Sequence, residues 1–168
     1  MKFEVNMTGL DGVLDALKAL PPEVASRRGG PVRKALAKGA KLIRDNARAA
    51  LQRSIDAGGI TGITETTGFT ASNVIMKRSR LDRISGERYV VTVRPKKHPN
   101  GYKYRKRTIQ TNDIAFIMEH GSAKHPALPW LRPTFASYAE KALRLIETTL
   151  ADEVERIVKR LAAQNRGR

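Results

Sequence analysis

A chain of 168 residues suits one domain and can bury roughly 70% of the surface its unfolded form exposes. It has no cysteine, which excludes disulfides, thiolate metal sites and thiol nucleophiles. Lysine and arginine total 32 against 16 acids, a formal charge of +16, so polyanions are the natural partners.

Residues 2 to 7 alternate apolar Phe3, Val5 and Met7 with polar neighbours, which predicts a strand rather than the apolar core of a secretion signal. Leu10, Val13, Leu14, Leu17 and Leu20 then recur at helical spacing until Pro21 and Pro22 stop the pattern. A longer helix follows, its apolar stripe read as Val32, Leu36, Ala40, Ile43, Ala47 and Leu51. Its other faces carry Arg33, Lys34, Lys38, Lys41, Arg44 and Arg48. No stretch approaches the roughly 20 apolar residues that cross a bilayer. The expectation is a soluble protein made in the cytoplasm, with no membrane partner.

From Gln52 to Gly68 periodicity disappears amid glycine and threonine, which predicts a loop. Two strands are expected next, from about Phe69 to Lys77 and from Arg88 to Arg94, joined as a long-looped hairpin. Residues 96 to 107 are polar and basic around Pro99, Asn100 and Gly101, and read as an exposed, mobile loop. Ile114 to Met118 forms a short strand or helical turn. From Pro133 the apolar positions Phe135, Leu143, Ile146, Leu150, Val154, Ile157 and Leu161 mark one long helix, with Pro133 in its first turn, where the missing N–H costs nothing. The predicted fold is α+β: a small, mainly antiparallel sheet packed with two N-terminal helices and a long C-terminal helix, one domain over 1–163, and a frayed tail over 164–168.

Most of the excess charge lies in the central hairpin and loop: Lys77, Arg78, Arg80, Arg83, Arg88, Arg94, Lys96, Lys97, Lys103, Arg105, Lys106 and Arg107, offset there by Asp82 and Glu87. Such a cluster neutralises phosphates without reading bases. Lys77, Arg78, Lys96, Lys97, Lys103, Arg105, Lys106 and Arg107 are therefore the DNA-facing candidates, against the plainer reading of a solvated charged surface. Tyr102 and Tyr104 interleave with these cations, but stacking on bases ranks below local packing.

Glu119, His120 and His125, with His98 far off, do not match a common zinc spacing, so no metal or other cofactor is expected. Phosphate-loop and serine–histidine–aspartate arrangements are absent. A metal-independent ribonuclease using His98, His120 or Glu119 as acid or base ranks below a noncatalytic role. Trp130, the single tryptophan, is read mainly as an anchor at a loop-to-helix junction, the alternative being an exposed aromatic at a subunit contact. Proline following Leu128 and Arg132 biases both towards extended backbone.

The stretch Ile114 to Phe135 places Glu119-His120-Gly121 after a short apolar segment and Pro129-Trp130-Leu131-Arg132-Pro133 at the head of the last helix. With the Val5 to Leu10 strand and Gly-Leu motif, two helices and a hairpin before them, these motifs resemble the neck and tail-completion proteins of tailed bacteriophages. In that family a strand ending in an acidic residue and glycine precedes an aromatic-Leu-Arg-Pro signature; histidine before the glycine and tryptophan at the aromatic position are mild departures. The resemblance implies a noncatalytic virion protein at the head–tail joint, a homo-oligomeric ring around the DNA channel, with neighbouring neck and tail proteins and double-stranded DNA as partners. It makes Glu119, His120, Gly121, Pro129, Trp130, Leu131, Arg132 and Pro133 the motif or subunit-interface candidates. The alternative is a free-standing, sequence-nonspecific nucleic-acid-binding protein.

Overall fold

The computed structural model describes residues 30–57, 68–79, 87–98, 103–104 and 107–166, the first and second of the expected N-terminal elements lying outside them. In chain order these form α1 (Gly30–Asp56), α2 (Phe69–Ser72), β1 (Val74–Ser79), β2 (Arg88–Val93), β3 (Lys103–Tyr104), β4 (Arg107–Thr108), α3 (Thr111–His120) and α4 (Leu131–Arg166). The architecture is α+β. β1 and β2 form one two-stranded sheet, and β3 pairs antiparallel with β4, Lys103 opposite Thr108 and Tyr104 opposite Arg107. No helix among the described residues is long and apolar enough to cross a membrane.

The chain divides into two compact units, one drawn from 1–40, 78–90 and 140–168, the other from 41–77 and 91–139. In the second unit Ala47, Leu51 and Ile55 of α1 cluster with Ala71, Val74, Ile109, Ile114, Ala115, Met118, Trp130 and Leu131. Val91 and Val93 of β2, partly buried, pack against this cluster. In the first unit Ala35, Ala142 and Leu150 are buried, and Gly39 lies against Ile146: a Cβ placed on Gly39 would come within 2.6 Å of that side chain. Lys34 on α1 bonds Glu153 on α4 at 3.0 Å.

Three sequence expectations change. The buried row of α1 is Pro31, Ala35, Gly39, Ile43, Ala47, Leu51 and Ile55, whereas Val32, Leu36 and Ala40 are only half-buried. The small residues Ala35 and Gly39 permit close helix approach, which matters more there than side-chain hydrophobicity. A strict four-residue repeat also advances by about 40° per step on a helix of 3.6 residues per turn, so the buried line winds around α1.

The strand expected from Phe69 begins only at Val74, after the single turn of α2. Ser72 Oγ and Asn73 Nδ2 both donate to the Phe69 carbonyl at 2.8 Å, giving this backbone a local alternative to a sheet ladder. Arg48, expected on the polar face of its helix, donates to the Val74 and Ser72 carbonyls at 2.7 and 3.1 Å and fixes where β1 starts.

The third change is one of length: of the two readings open at Ile114 to Met118, short strand or helical turn, the helical one holds and extends to ten residues, with Ile114, Ala115 and Met118 buried at helical spacing. At the chain end, helical backbone continues to Arg166, into the segment expected to fray.

Leu51, fully buried in the second unit's core, and Val158, 49% exposed on α4, test this layout. Leu51→Ala is expected to cost about 2–5 kcal/mol in urea unfolding. Val158→Ala should stay within about 0.5 kcal/mol of the parent.

Candidate functional site

The two motifs that carry the resemblance are joined by one side chain. α3 brings Glu119 to its inner face, where the residue is completely buried. One carboxylate oxygen, Oε2, accepts the backbone N–H of Trp130 at 2.8 Å and of Leu131 at 2.7 Å. The other, Oε1, accepts the backbone N–H of Arg132 at 3.1 Å and its Nε–H at 2.9 Å. Arg132 also donates from Nη2 to the Glu119 carbonyl at 3.2 Å.

A helix start leaves four backbone donors without intrahelical partners. At the start of α4, Glu119 takes the first three, and the fourth position is Pro133, which has no N–H. A negative charge here also sits favourably at the positive end of the helix dipole. Arg132, expected to be extended before Pro133, is instead in the first turn, held there by both its backbone and its guanidinium.

The connection between the helices is fixed at both ends. Gly121 N–H donates to the Ile117 carbonyl at 2.6 Å, and Leu128 N–H to the Met118 carbonyl at 2.7 Å. Ser122 and His125 exchange backbone bonds at 2.8 and 3.2 Å. Gly121 adopts φ 75° and ψ −177°, a region open essentially to glycine, and a Cβ there would lie 2.9 Å from the Ala127 nitrogen. The Trp130 indole donates to the Ala115 carbonyl at 3.1 Å, and the Thr134 hydroxyl to the Trp130 carbonyl at 2.6 Å.

Electrostatics follow from this geometry. Burial pushes the Glu119 carboxyl up, but the Leu131 amide, the Arg132 guanidinium and the Trp130 and Arg132 amides together hold it below the ordinary glutamate value. With four donors on its two oxygens the carboxylate is saturated. It is an ionised structural strut, unsuited to proton transfer or metal binding.

Of the motif candidates, Glu119, Trp130 and Leu131 are interior residues, Gly121 is half-buried, and His120, Pro129, Arg132 and Pro133 are exposed. Burial of the indole and its bond to the Ala115 carbonyl fit the anchor role for Trp130. Phe116 was missed. It is 57% exposed on α3 and lies tilted against the ring of His120, centroids 4.6 Å apart. Its relation to His120 emerges only once the segment is a helix, because residues four apart then share a face.

The basic candidates separate into different environments. Lys77, Lys96 and Lys97 are exposed, and Arg78 forms a two-pronged pair with Glu87. Lys103 and Arg107 fall on the paired β3 and β4, while Arg105 and Lys106 lie outside the described residues. Within the segment expected to be a mobile loop, Lys96 is held by backbone bonds to Thr111, and Lys97 bridges Gln110. His98 is buried, edge-on to Phe69 with centroids 5.5 Å apart, and burial lowers its pKa.

Comparison of the chain with protein-family models, curated proteins and solved structures finds no match.

His98 and Glu119, the two buried members among the shifted groups, each make acid destabilising, in separate windows. His98 is harder to protonate folded than unfolded, so stability should fall as pH drops below roughly 6.5. The Glu119 contribution is complete above roughly 4.3 and is lost as pH falls through its lower folded value. Urea unfolding against pH should show both phases, and Glu119→Gln should shrink the lower one, leaving the smaller share of the more exposed Glu153 and Glu155, whose pKa values are also lowered. At neutral pH that variant should lose about 3 kcal/mol, because at least one buried amide faces a donor in place of an acceptor.

Proposed function

We propose that this chain is a structural protein of a tailed-phage virion that completes the tail end or neck and helps join the tail to the DNA-filled head. The observation that carries the reading is the Glu119 clamp. The acidic-glycine motif and the aromatic-Leu-Arg-Pro motif, which carry the resemblance to neck and tail-completion proteins, meet in one buried corner through four hydrogen bonds to a single carboxylate. A saturated carboxylate at its centre suits a rigid, noncatalytic component. In this reading the protein is made in the host cytoplasm and acts at the neck as a ring.

A ring closes through heterologous contacts, so each protomer presents two different surfaces. The corner offers one of them: Phe116 and His120 on α3 beside the exposed Pro129, Arg132 and Pro133. Aromatic and arginine side chains commonly carry association energy, and Phe116 is one of the large apolar side chains left exposed. The formal charge of +16 suits a ring whose axis passes DNA.

Deleting the gene from its phage and imaging the lysate by electron microscopy tests the assignment. Filled heads beside separate tails are expected. Intact, infectious virions would overturn the structural role and favour a free-standing nucleic-acid-binding protein. In complementation, Phe116→Asp should fold normally yet fail to restore joined particles, with subunit association weakened by about 2 kcal/mol.

A further inference from the structure

The cations of this chain are not equivalent. Arg48 is committed to two carbonyls, Arg78 to Glu87, Lys34 to Glu153 and Arg132 to Glu119. Arg94, Lys96 and Lys97 are all exposed, and among the described residues none has an acidic partner. They stand within four consecutive residues, Arg94-Pro95-Lys96-Lys97, directly after β2.

The backbone beneath them is tied at Arg94 and Lys96 on both its N–H and its carbonyl. Arg94 N–H donates to the Asn73 carbonyl at 2.8 Å, extending the connection between β2 and the start of β1. Pro95 has no N–H to satisfy. Lys96 N–H donates to the Thr111 hydroxyl at 3.0 Å, the same hydroxyl donates to the Arg94 carbonyl, and Thr111 N–H donates to the Lys96 carbonyl at 3.0 Å. Lys97 bridges Gln110. Thr111 itself is completely buried at the first turn of α3. The nearest acid in sequence to this tie, Asp113, accepts the Gln110 N–H at 3.0 Å and so serves the start of α3.

Three cations without an acidic partner among the described residues, on a backbone already held at Arg94 and Lys96, make a preformed phosphate-binding strip, since binding immobilises side chains more than main chain. We propose that Arg94, Lys96 and Lys97 bind the phosphodiester backbone of duplex DNA without reading its sequence, and that Thr111 is the positioning residue that holds them. The choice of DNA rests on the virion assignment above; the affinity for phosphates rests on the strip alone. The cations committed elsewhere contribute only diffuse attraction.

The test is fluorescence anisotropy of the full-length protein with short labelled duplexes of unrelated sequence, titrated between about 50 and 200 mM salt. The triple variant Arg94→Ser, Lys96→Ser, Lys97→Ser is expected to bind about tenfold or more weakly, equally for every sequence. Its plot of log affinity against log salt should flatten by roughly 2.7, about 0.9 for each phosphate left unneutralised. A control of equal charge change on the same compact unit, Lys41→Ser, Arg53→Ser, Lys124→Ser, should move both quantities much less. Thr111→Val, which keeps every charge and removes the hydroxyl, should weaken binding several-fold.

Equal losses in the two triple variants would overturn the strip in favour of general basicity. Affinity that depends on DNA sequence would overturn backbone binding, and preference for duplex RNA would overturn the choice of DNA. Unchanged binding by Thr111→Val would overturn the positioning role. None of these results bears on whether the deletion strain joins heads to tails, so the strip and the virion assignment fail separately.

Discussion

A buried carboxylate is costly unless its oxygens are fully engaged, and a buried helix start is costly unless its amides are. At the turn from α3 into α4 each requirement answers the other. Glu119 supplies the acceptors that Trp130, Leu131 and Arg132 need, and their amides supply the donors that make an ionised group tolerable in the core. Pro133 completes the arrangement by removing the remaining donor. Once this corner is set, the indole of Trp130 is aimed at the Ala115 carbonyl, Leu131 enters the same cluster, and Gly121 must take its positive φ to let the chain turn back.

Much of this was visible in the sequence as parts, though not as a joint. The periodicity of residues 32 to 51 identifies a helix, and the valine-rich run after Arg88 identifies β2. Glu119 within an apolar stretch signals an acid that must be paired if buried. Three of its four partners, however, are backbone amides eleven to thirteen residues away, and backbone groups leave no trace in composition. The choice between short strand and helical turn at 114 to 118 stayed open for a related reason: five apolar-rich residues are too few to distinguish a period of 2 from one of 3.6, and the structure takes the helical alternative. At Phe69 the error came from side chains bonding their own backbone, where Ser72 and Asn73 close a turn that β propensity does not anticipate. On α1, apolar size suggested Leu36, while close helix approach selected Ala35 and Gly39.

Charge shows the same limit. The sequence counts 32 cations alike, whereas among the described residues the structure separates those that hold the fold from those that face solvent. Arg48 and Arg132 act as hydrogen-bond donors to backbone and carboxylate, and neither role could be assigned from a cluster of basic residues. After β2, a lysine- and arginine-rich sequence reads as a mobile loop, yet Thr111 pins its first residues to α3. A single threonine fifteen residues downstream decides this.

The Glu119 corner also bears on the order in which the molecule assembles. Glu119 and Trp130 are 11 residues apart in sequence, whereas Lys34 and Glu153, which meet where α1 runs beside α4, are 119 apart. Closing the longer loop costs about 2 kcal/mol more in chain entropy. The corner is thus a local structure that forms on short-range contacts, and the far half of α4 must wait for α1, the earlier part of the chain, to return to it.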